Sequence, residues 1–135
     1  MTTTGQHGAQ RRTVTAAQRQ AVGAYGERVA VRTLTEAGMG IVERNWRSRH
    51  GEVDIIARDG DCLVFCEVKT RRGGAYGQAV EAVTAAKAGR LRRLAGEWLA
   101  QHPDHGWVDA VRIDVVAVTR PPSGPAQVQH LRGIL

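Results

Sequence analysis

Lysine, cysteine, proline and the aromatic residues are all scarce in this chain, and each shortage narrows what the protein can be. The two cysteines, Cys62 and Cys66, flank or sit in one predicted strand, with no second Cys/His pair at zinc spacing. That excludes a disulfide framework and a structural zinc site, and leaves reduced thiols, with Cys66 a small core residue. No apolar run approaches the length of a membrane span, and Met1 to Gln20 lack the apolar stretch of a secretory signal, so a cytoplasmic protein without membrane association is expected. The four prolines all lie at or beyond Pro103, so none interrupts the first hundred residues. Acidic residues are in deficit: 13 stand against 19 basic ones, a formal net charge of +6 and a pI near 10.3. This balance favours a polyanionic partner, nucleic acid before membrane surface.

What remains is the composition of one folded unit. A chain of 135 residues, 42% hydrophobic and 24% charged, can bury a core but not two. Seventeen arginines face two lysines, Lys69 and Lys87. A genome whose codons favour arginine explains the bias. In that background each lysine hints at a position where a compact, titratable ammonium is wanted.

Residues 1–14, with the pair Arg11-Arg12, lack apolar periodicity and read as a disordered basic arm. From about Thr15 to Ala37, Ala21, Val22, Tyr25, Val29 and Leu34 recur at helical spacing, and Gly38 is a natural stop. Three strands follow, at about Gly40–Arg47, Glu52–Arg58 and Cys62–Thr70, punctuated by His50-Gly51 and Asp59-Gly60. After Gly73, Gly74 and Gly77, a second amphipathic helix is predicted from about Gln78 to Gln101, its apolar face carried by Ala79, Val83, Ala86, Leu91, Leu94, Trp98 and Leu99. Pro103 ends it. Val108 to Thr119 reads as a further strand, and residues 120–135 as a Pro/Gly linker followed by an edge strand or docked tail. The order α-β-β-β-α-β, with hairpins joining the first three strands and a helical crossover to the last, describes an α/β fold with a mixed sheet flanked by helices over residues 15–119.

The chemistry concentrates in the second hairpin. If the chain turns between Asp59 and Cys62 so that Arg58 pairs with Leu63, Asp54 stands opposite Glu67; a register shifted by two puts Phe65 there and keeps the face. Lys69, two residues on, projects from the same side as Glu67. The ordinary account of Glu67 and Lys69 is a structural ion pair. Against it, Glu67 lies inside the apolar run Leu63-Val64-Phe65-Cys66-Glu67-Val68, where two facing carboxylates are costly without a cation. Two carboxylates completed by water and phosphate oxygens suit Mg²⁺ (or Mn²⁺). Asp54 and Glu67 are therefore the expected metal ligands, with Lys69 to position water or neutralise charge, and Glu27 on the first helix is a third candidate carboxylate.

The segments Gly51-Glu52-Val53-Asp54-Ile55-Ile56-Ala57 and Val64-Phe65-Cys66-Glu67-Val68-Lys69-Thr70-Arg71 resemble the signature of PD-(D/E)xK nucleases. More narrowly, with Gly26-Glu27, Arg44-Asn45-Trp46-Arg47, Gly77, Glu81-Ala82-Val83, Lys87 and Arg112-Ile113-Asp114-Val115-Val116, the chain resembles the YraN family of uncharacterised bacterial proteins, relatives of archaeal Holliday-junction resolvases. The likeness spans roughly residues 23–118, departing from the usual pattern at Cys66 and Ile113. It implies a restriction-endonuclease-like core, with Glu27, Asp54, Glu67 and Lys69 at positions matching the resolvase-type active site. It also implies a homodimer, because a junction needs paired cuts.

Arg71 and Arg72, directly after the catalytic strand, are candidate phosphate contacts, as are Arg90, Arg92 and Arg93. Gln78 matches a position where some nucleases of this fold use Gln. Asp114 either assists the site or pairs with Arg112. His102 and His105 read as solvated loop histidines, and Trp46, Trp98 and Trp107 as packing residues. Three functions follow in order: a metal-dependent endonuclease acting on structured, branched DNA; a nucleic-acid-binding or partner-docking module that does not cut; and a phosphate-ligand enzyme outside nucleic-acid work.

Overall fold

The computed structural model describes residues 16–72 and 84–134. The N-terminal arm of residues 1–14 and Gln78 lie outside the described residues. Helix α1 (Ala16–Glu36) leads into strands β1 (Gly40–Ser48), β2 (Gly51–Asp59) and β3 (Cys62–Arg72), then helix α2 (Ala85–Gln101), β4 (Ala110–Arg120) and β5 (Gln127–Leu131). The strands form one sheet in the order β1-β2-β3-β4-β5. β3 and β4 are parallel and every other neighbouring pair is antiparallel. This is the expected mixed α/β sheet, with the C-terminal segment added as an edge strand.

Alternating side chains divide the core in two. On one face Ile55, Ala57, Val64, Cys66, Val116 and Val118 pack under Val29, Ala30 and Leu34 of α1. On the other, Ile56, Leu63, Phe65 and Ile113 pack with Trp46 and Val53 under Leu91, Leu94, Ala95 and Trp98 of α2. Each Val, Leu, Ile or Phe among them contributes roughly 1.5–3 kcal/mol by leaving water. Ala21, expected on the buried stripe of α1, is exposed. Helix α2 begins at Ala85, later than the spacing predicted, because Thr84 is extended and accepts a hydrogen bond through its Oγ1 from the Lys87 N–H at 3.2 Å, an N-cap. Ala86 is exposed as a result, and Ala79 and Val83 lie outside the described residues.

Two glycines permit close approaches. A Cβ on Gly26 would fall 1.9 Å from Thr70 Oγ1, so its absence lets α1 press onto β3 next to Glu27. Gly51 has φ +141°, a conformation L side chains avoid, and sits under Leu94 and Arg90.

The histidines are less solvated than expected. His102 stacks on Trp98 with ring centroids 4.1 Å apart, its Nδ1 is 2.8 Å from the Trp98 carbonyl, and His105 is half-buried. The carbonyls of His105 and Trp107 accept hydrogen bonds from Arg58, which ties this loop to β2. Trp46 and Trp98 are core residues, while Trp107 is 72% exposed.

Candidate functional site

The site grows out of an interruption in the β2–β3 ladder. Asp59 pairs with Cys62 and Arg58 with Leu63, and the paired residues end at Ile55 and Cys66. One step further the count sets Asp54 opposite Glu67. There the ladder gives way to a side chain: the Val68 N–H donates to Asp54 Oδ2 at 2.8 Å. Ile55 packs on the α1 face while Val53 packs on the α2 face, so strict alternation breaks at Asp54. The carboxylate consequently borders depressions on both faces of the sheet.

The facing residue on β1 explains the break. By register Asn45 lies between the pairs Arg44–Ile55 and Trp46–Val53, opposite Asp54, and it has φ +54°. Asparagine tolerates this left-handed conformation better than most residues. Its Nδ2 donates to Glu27 Oε1 at 3.0 Å, and Arg44 Nη2 reaches the same oxygen at 2.9 Å. Glu27 is thus held from α1 against the β1 edge, on the face opposite Glu67.

Glu67 and Lys69 share the α2 face, as period two requires. Glu67 is 9% exposed. Its Oε2 meets the Lys69 ammonium at 2.8 Å as an ion pair, yet makes no aligned hydrogen bond. The depression here, about 370 Å³, is lined by Gly51, Glu52, Asp54, Glu67, Val68, Lys69 and Arg90. Asp54, Glu67 and Lys69 are therefore brought together, while Glu27 borders the depression on the other face, which Asp54 also lines.

Burial pushes the Asp54 carboxyl up to about 6; the Val68 N–H opposes the rise, and the charges of Glu67, Glu52 and Glu27 add to it. Burial alone would lower the Lys69 ammonium, but the Glu67 carboxylate paired with it leaves it raised. A half-buried carboxylate short of cations, beside a buried carboxylate oxygen with no aligned donor, fits a hard divalent ion with water filling its other positions. Among the described residues no three His, Cys, Asp or Glu side chains cluster closely enough to hold a metal by themselves.

Arg71 and Arg72 line a further depression continuous with Lys69 and Thr70. Three residues of this region stood in the segments that carry the resemblance without a role assigned to them. Glu52, which pairs with Arg47 at 3.3 Å, borders both faces of the site; its adjacency to the Asp54 motif was the available signal. Asn45 and Arg44 depend on a long-range contact with Glu27 that no local pattern announces.

Asp114 is not part of this site. It is wholly buried, takes Arg112 Nε and Nη2 at 2.9 and 3.0 Å, His130 Nε2 at 2.7 Å and the Gly133 N–H at 3.0 Å. Arg112 also reaches Asp59 Oδ2 at 3.0 Å. The cluster fastens β5 and the tail to β4.

A mixed five-stranded sheet between two helices, with acidic residues where neighbouring strands part, defines a protein built on a nuclease-like α/β core. A family model described as "Uncharacterised protein family UPF0102" matches residues 26–118, and the chain belongs to that family. This is the YraN family that the sequence resembles. A UPF0102 protein of Kineococcus radiotolerans is 65% identical over 116 residues, covering 86% of this chain and 94% of the relative. Others from Frankia alni and Streptomyces coelicolor are each 56% identical, over 85% and 86% of this chain and 94% and 89% of theirs.

Proposed function

We propose that the protein is a divalent-metal-dependent endonuclease that hydrolyses phosphodiester bonds in structured, branched DNA of the Holliday-junction type. The observation that carries this reading is the meeting of Asp54, Glu67 and Lys69 where β2 and β3 part, a half-buried and a buried carboxylate with an ammonium beside them. Asp54 and Glu67 are the residues that would hold Mg²⁺ or Mn²⁺, which supplies polarisation of a phosphoryl oxygen. The Val68 N–H fixes the Asp54 carboxylate in orientation. Lys69, paired with Glu67, offers positive charge to the phosphorane-like transition state and can orient the attacking water. Glu27 acts from the opposite face as a positioning residue, through Asn45 and Arg44. Arg71 and Arg72 continue the basic path beyond Lys69 and suit sugar-phosphate contacts. A homodimer would supply the paired cuts that a four-way junction requires.

The test is a cleavage panel of linear, flapped and four-way DNA with Mg²⁺ and Mn²⁺. Wild type should cut the branched substrates, while Asp54→Asn, Glu67→Gln and Lys69→Ala should each lose at least about a hundredfold in rate. Undiminished cutting by Asp54→Asn or Glu67→Gln would sink the assignment.

One observation favours a second reading, a nucleic-acid-binding or partner-docking module: Glu27 is committed to Arg44 and Asn45 rather than to the acidic pair. Such a module would bind DNA in EDTA, weaken steeply with salt and cut nothing.

A further inference from the structure

Helix α2 and the hairpin between β1 and β2 leave a groove of about 590 Å³, lined by His50, Ala86, Arg90, Arg93, Leu94 and Glu97. Ala86, Arg90, Arg93 and Glu97 follow one another at steps of three and four residues, so they form one stripe of α2. That stripe runs beside the buried one of Leu91, Leu94 and Trp98. His50, on the hairpin, is the facing wall.

The groove opens toward the acidic site through Arg90, which lines it and also the depression of Asp54, Glu67 and Lys69. Gly51 makes this placement possible. A Cβ there would lie 3.3 Å from Leu94 Cδ1, 3.7 Å from Arg90 Cδ and 4.0 Å from Arg90 Nε, so the stem of Arg90 rests on the hairpin backbone. Among the described residues neither Arg90 nor Arg93 has an ion pair or a hydrogen bond, although Arg90 borders two acids. Glu97, four residues after Arg93 and so placed for a helical ion pair, turns to His50 instead, with Oε1 3.3 Å from Nδ1. A merely solvated basic face would need neither the fit of Arg90 on Gly51 nor continuity with the site. Two exposed guanidiniums without a counter-charge in contact, on a surface that leads to a candidate metal site, suit an anion that extends beyond that site.

We propose that this groove seats the DNA backbone next to the phosphate held at Asp54 and Glu67, with Arg90 taking the adjoining phosphate and Arg93 the one after it. Cβ atoms three residues apart on a helix are about 5–6 Å apart, comparable with the step between successive phosphates of one strand. On the other flank Lys69 is shared with the depression of Arg71 and Arg72, so basic residues stand on both sides of the acids. That the occupant is DNA rests on the function proposed above; the groove itself rests on Gly51, Arg90 and Arg93.

The test is binding of a short labelled DNA duplex to the full chain in EDTA, measured by fluorescence anisotropy across a series of salt concentrations. Arg90→Gln and Arg93→Gln, both at exposed helix positions, should keep the fold by circular dichroism, and each should lower the slope of log affinity against log salt by about one. Arg90→Lys should keep the slope while weakening binding, because it retains the charge and loses the fork. Arg32→Gln removes the same charge from an exposed position of α1, on the other face of the sheet, and should leave the slope unchanged. In wild type the amide signals of Gly51, Arg90 and Arg93 should move along one isotherm as duplex is added. No binding by wild type, unchanged slopes for Arg90→Gln and Arg93→Gln, an equal fall for Arg32→Gln, or unmoved amides at Gly51 and Arg90 would overturn the groove. The two proposals fail separately. If wild type cuts no DNA but the two slopes fall, the groove stands and the nuclease reading falls; if wild type cuts branched DNA and the slopes do not change, the groove falls and the nuclease reading stands.

Discussion

The Val68 N–H donates to Asp54 Oδ2 at 2.8 Å, so a side chain takes over where a backbone carbonyl of β2 would otherwise continue the ladder. The bond keeps the two strands joined at the point where their regular pairing stops, and it aims a carboxylate along the seam. A carboxylate so placed is useful for binding and unfavourable for folding. Its pKa, lifted to about 6 chiefly by burial, measures that tension.

The stability consequence has a definite sign. A folded pKa above the unfolded value, near 3.8, means that the native state holds the proton more tightly. Stability from this group is full below about pH 4 and is lost as pH rises through about 6. The whole shift corresponds to roughly 3 kcal/mol, and screening at a partly exposed site reduces it to about 1–2 kcal/mol. Asp54→Asn should therefore raise the urea midpoint in EDTA at pH 7, with the gain vanishing at pH 4. An equal or lower midpoint at pH 7 contradicts this account.

At Gly26 two opposing effects can be weighed. Alanine gains about 1 kcal/mol of helix propensity. Its Cβ, however, would overlap Thr70 Oγ1, and the resulting displacement of α1 from β3 costs about 1–3 kcal/mol. Gly26→Ala should therefore be net destabilising, by about 1 kcal/mol. Adding Thr70→Ala removes the hydroxyl that is struck and should recover most of the loss. A double-mutant cycle by chemical denaturation reads this directly; additive effects would argue that the helix does not press on Thr70.

The Asp114 cluster predicts acid lability. Burial raises the Asp114 carboxyl, but Arg112, the Gly133 N–H and His130 outweigh it and hold it below the usual carboxylate range. Its contribution is present above the unfolded carboxylate value, roughly 3.9, and disappears as pH falls through the lower folded value. Asp114→Ala, which leaves Arg112 with Asp59 and strips His130 and the Gly133 N–H of their acceptor, should cost about 1.5–3 kcal/mol at pH 7. The gap to wild type should narrow as pH falls through the lowered folded value of Asp114. A constant gap from pH 7 to pH 2 would mean that the charge is not what stabilises the junction of β4, β5 and the tail.

Much of this architecture could be read from local chemistry. Asp59-Gly60 marked the hairpin but left two registers open, and the structure takes the one that pairs Arg58 with Leu63 and carries Asp54 to the level of Glu67. Period two then put Lys69 beside Glu67. The count assumed a regular strand, though, and Asn45, with positive φ, breaks that regularity from the neighbouring strand. No local pattern shows that Asp54 turns into the seam. The attachment of Glu27 to Arg44 was hidden for the same reason, since it joins a helix to a strand 17 residues away. The start of α2 was misread because apolar spacing continues backward past Thr84, whereas its hydroxyl cap decides where the helix begins. The fate of Asp114 depended on His130 and Gly133, beyond a proline-rich segment that gives no pairing signal.

Asn45 offers a way to separate backbone shape from hydrogen bonding at the site. Its φ of +54° suits Gly and Asn, and its amide holds Glu27 at 3.0 Å. Asn45→Gly keeps the backbone and deletes one hydrogen bond of two to Glu27 Oε1, so stability should fall by about 1–2 kcal/mol, with Arg44 still holding the carboxylate. Asn45→Ala loses the same bond and adds about 1 kcal/mol of strain from a Cβ in the left-handed region. If that strain is relieved by β1 returning to extended geometry, Asp54 loses the irregularity opposite it and its bond to Val68. The Val68 amide, resolved by hydrogen exchange, should then be markedly less protected in Asn45→Ala than in Asn45→Gly. Equal protection in both variants would show that Asp54 holds its orientation without the turn in β1.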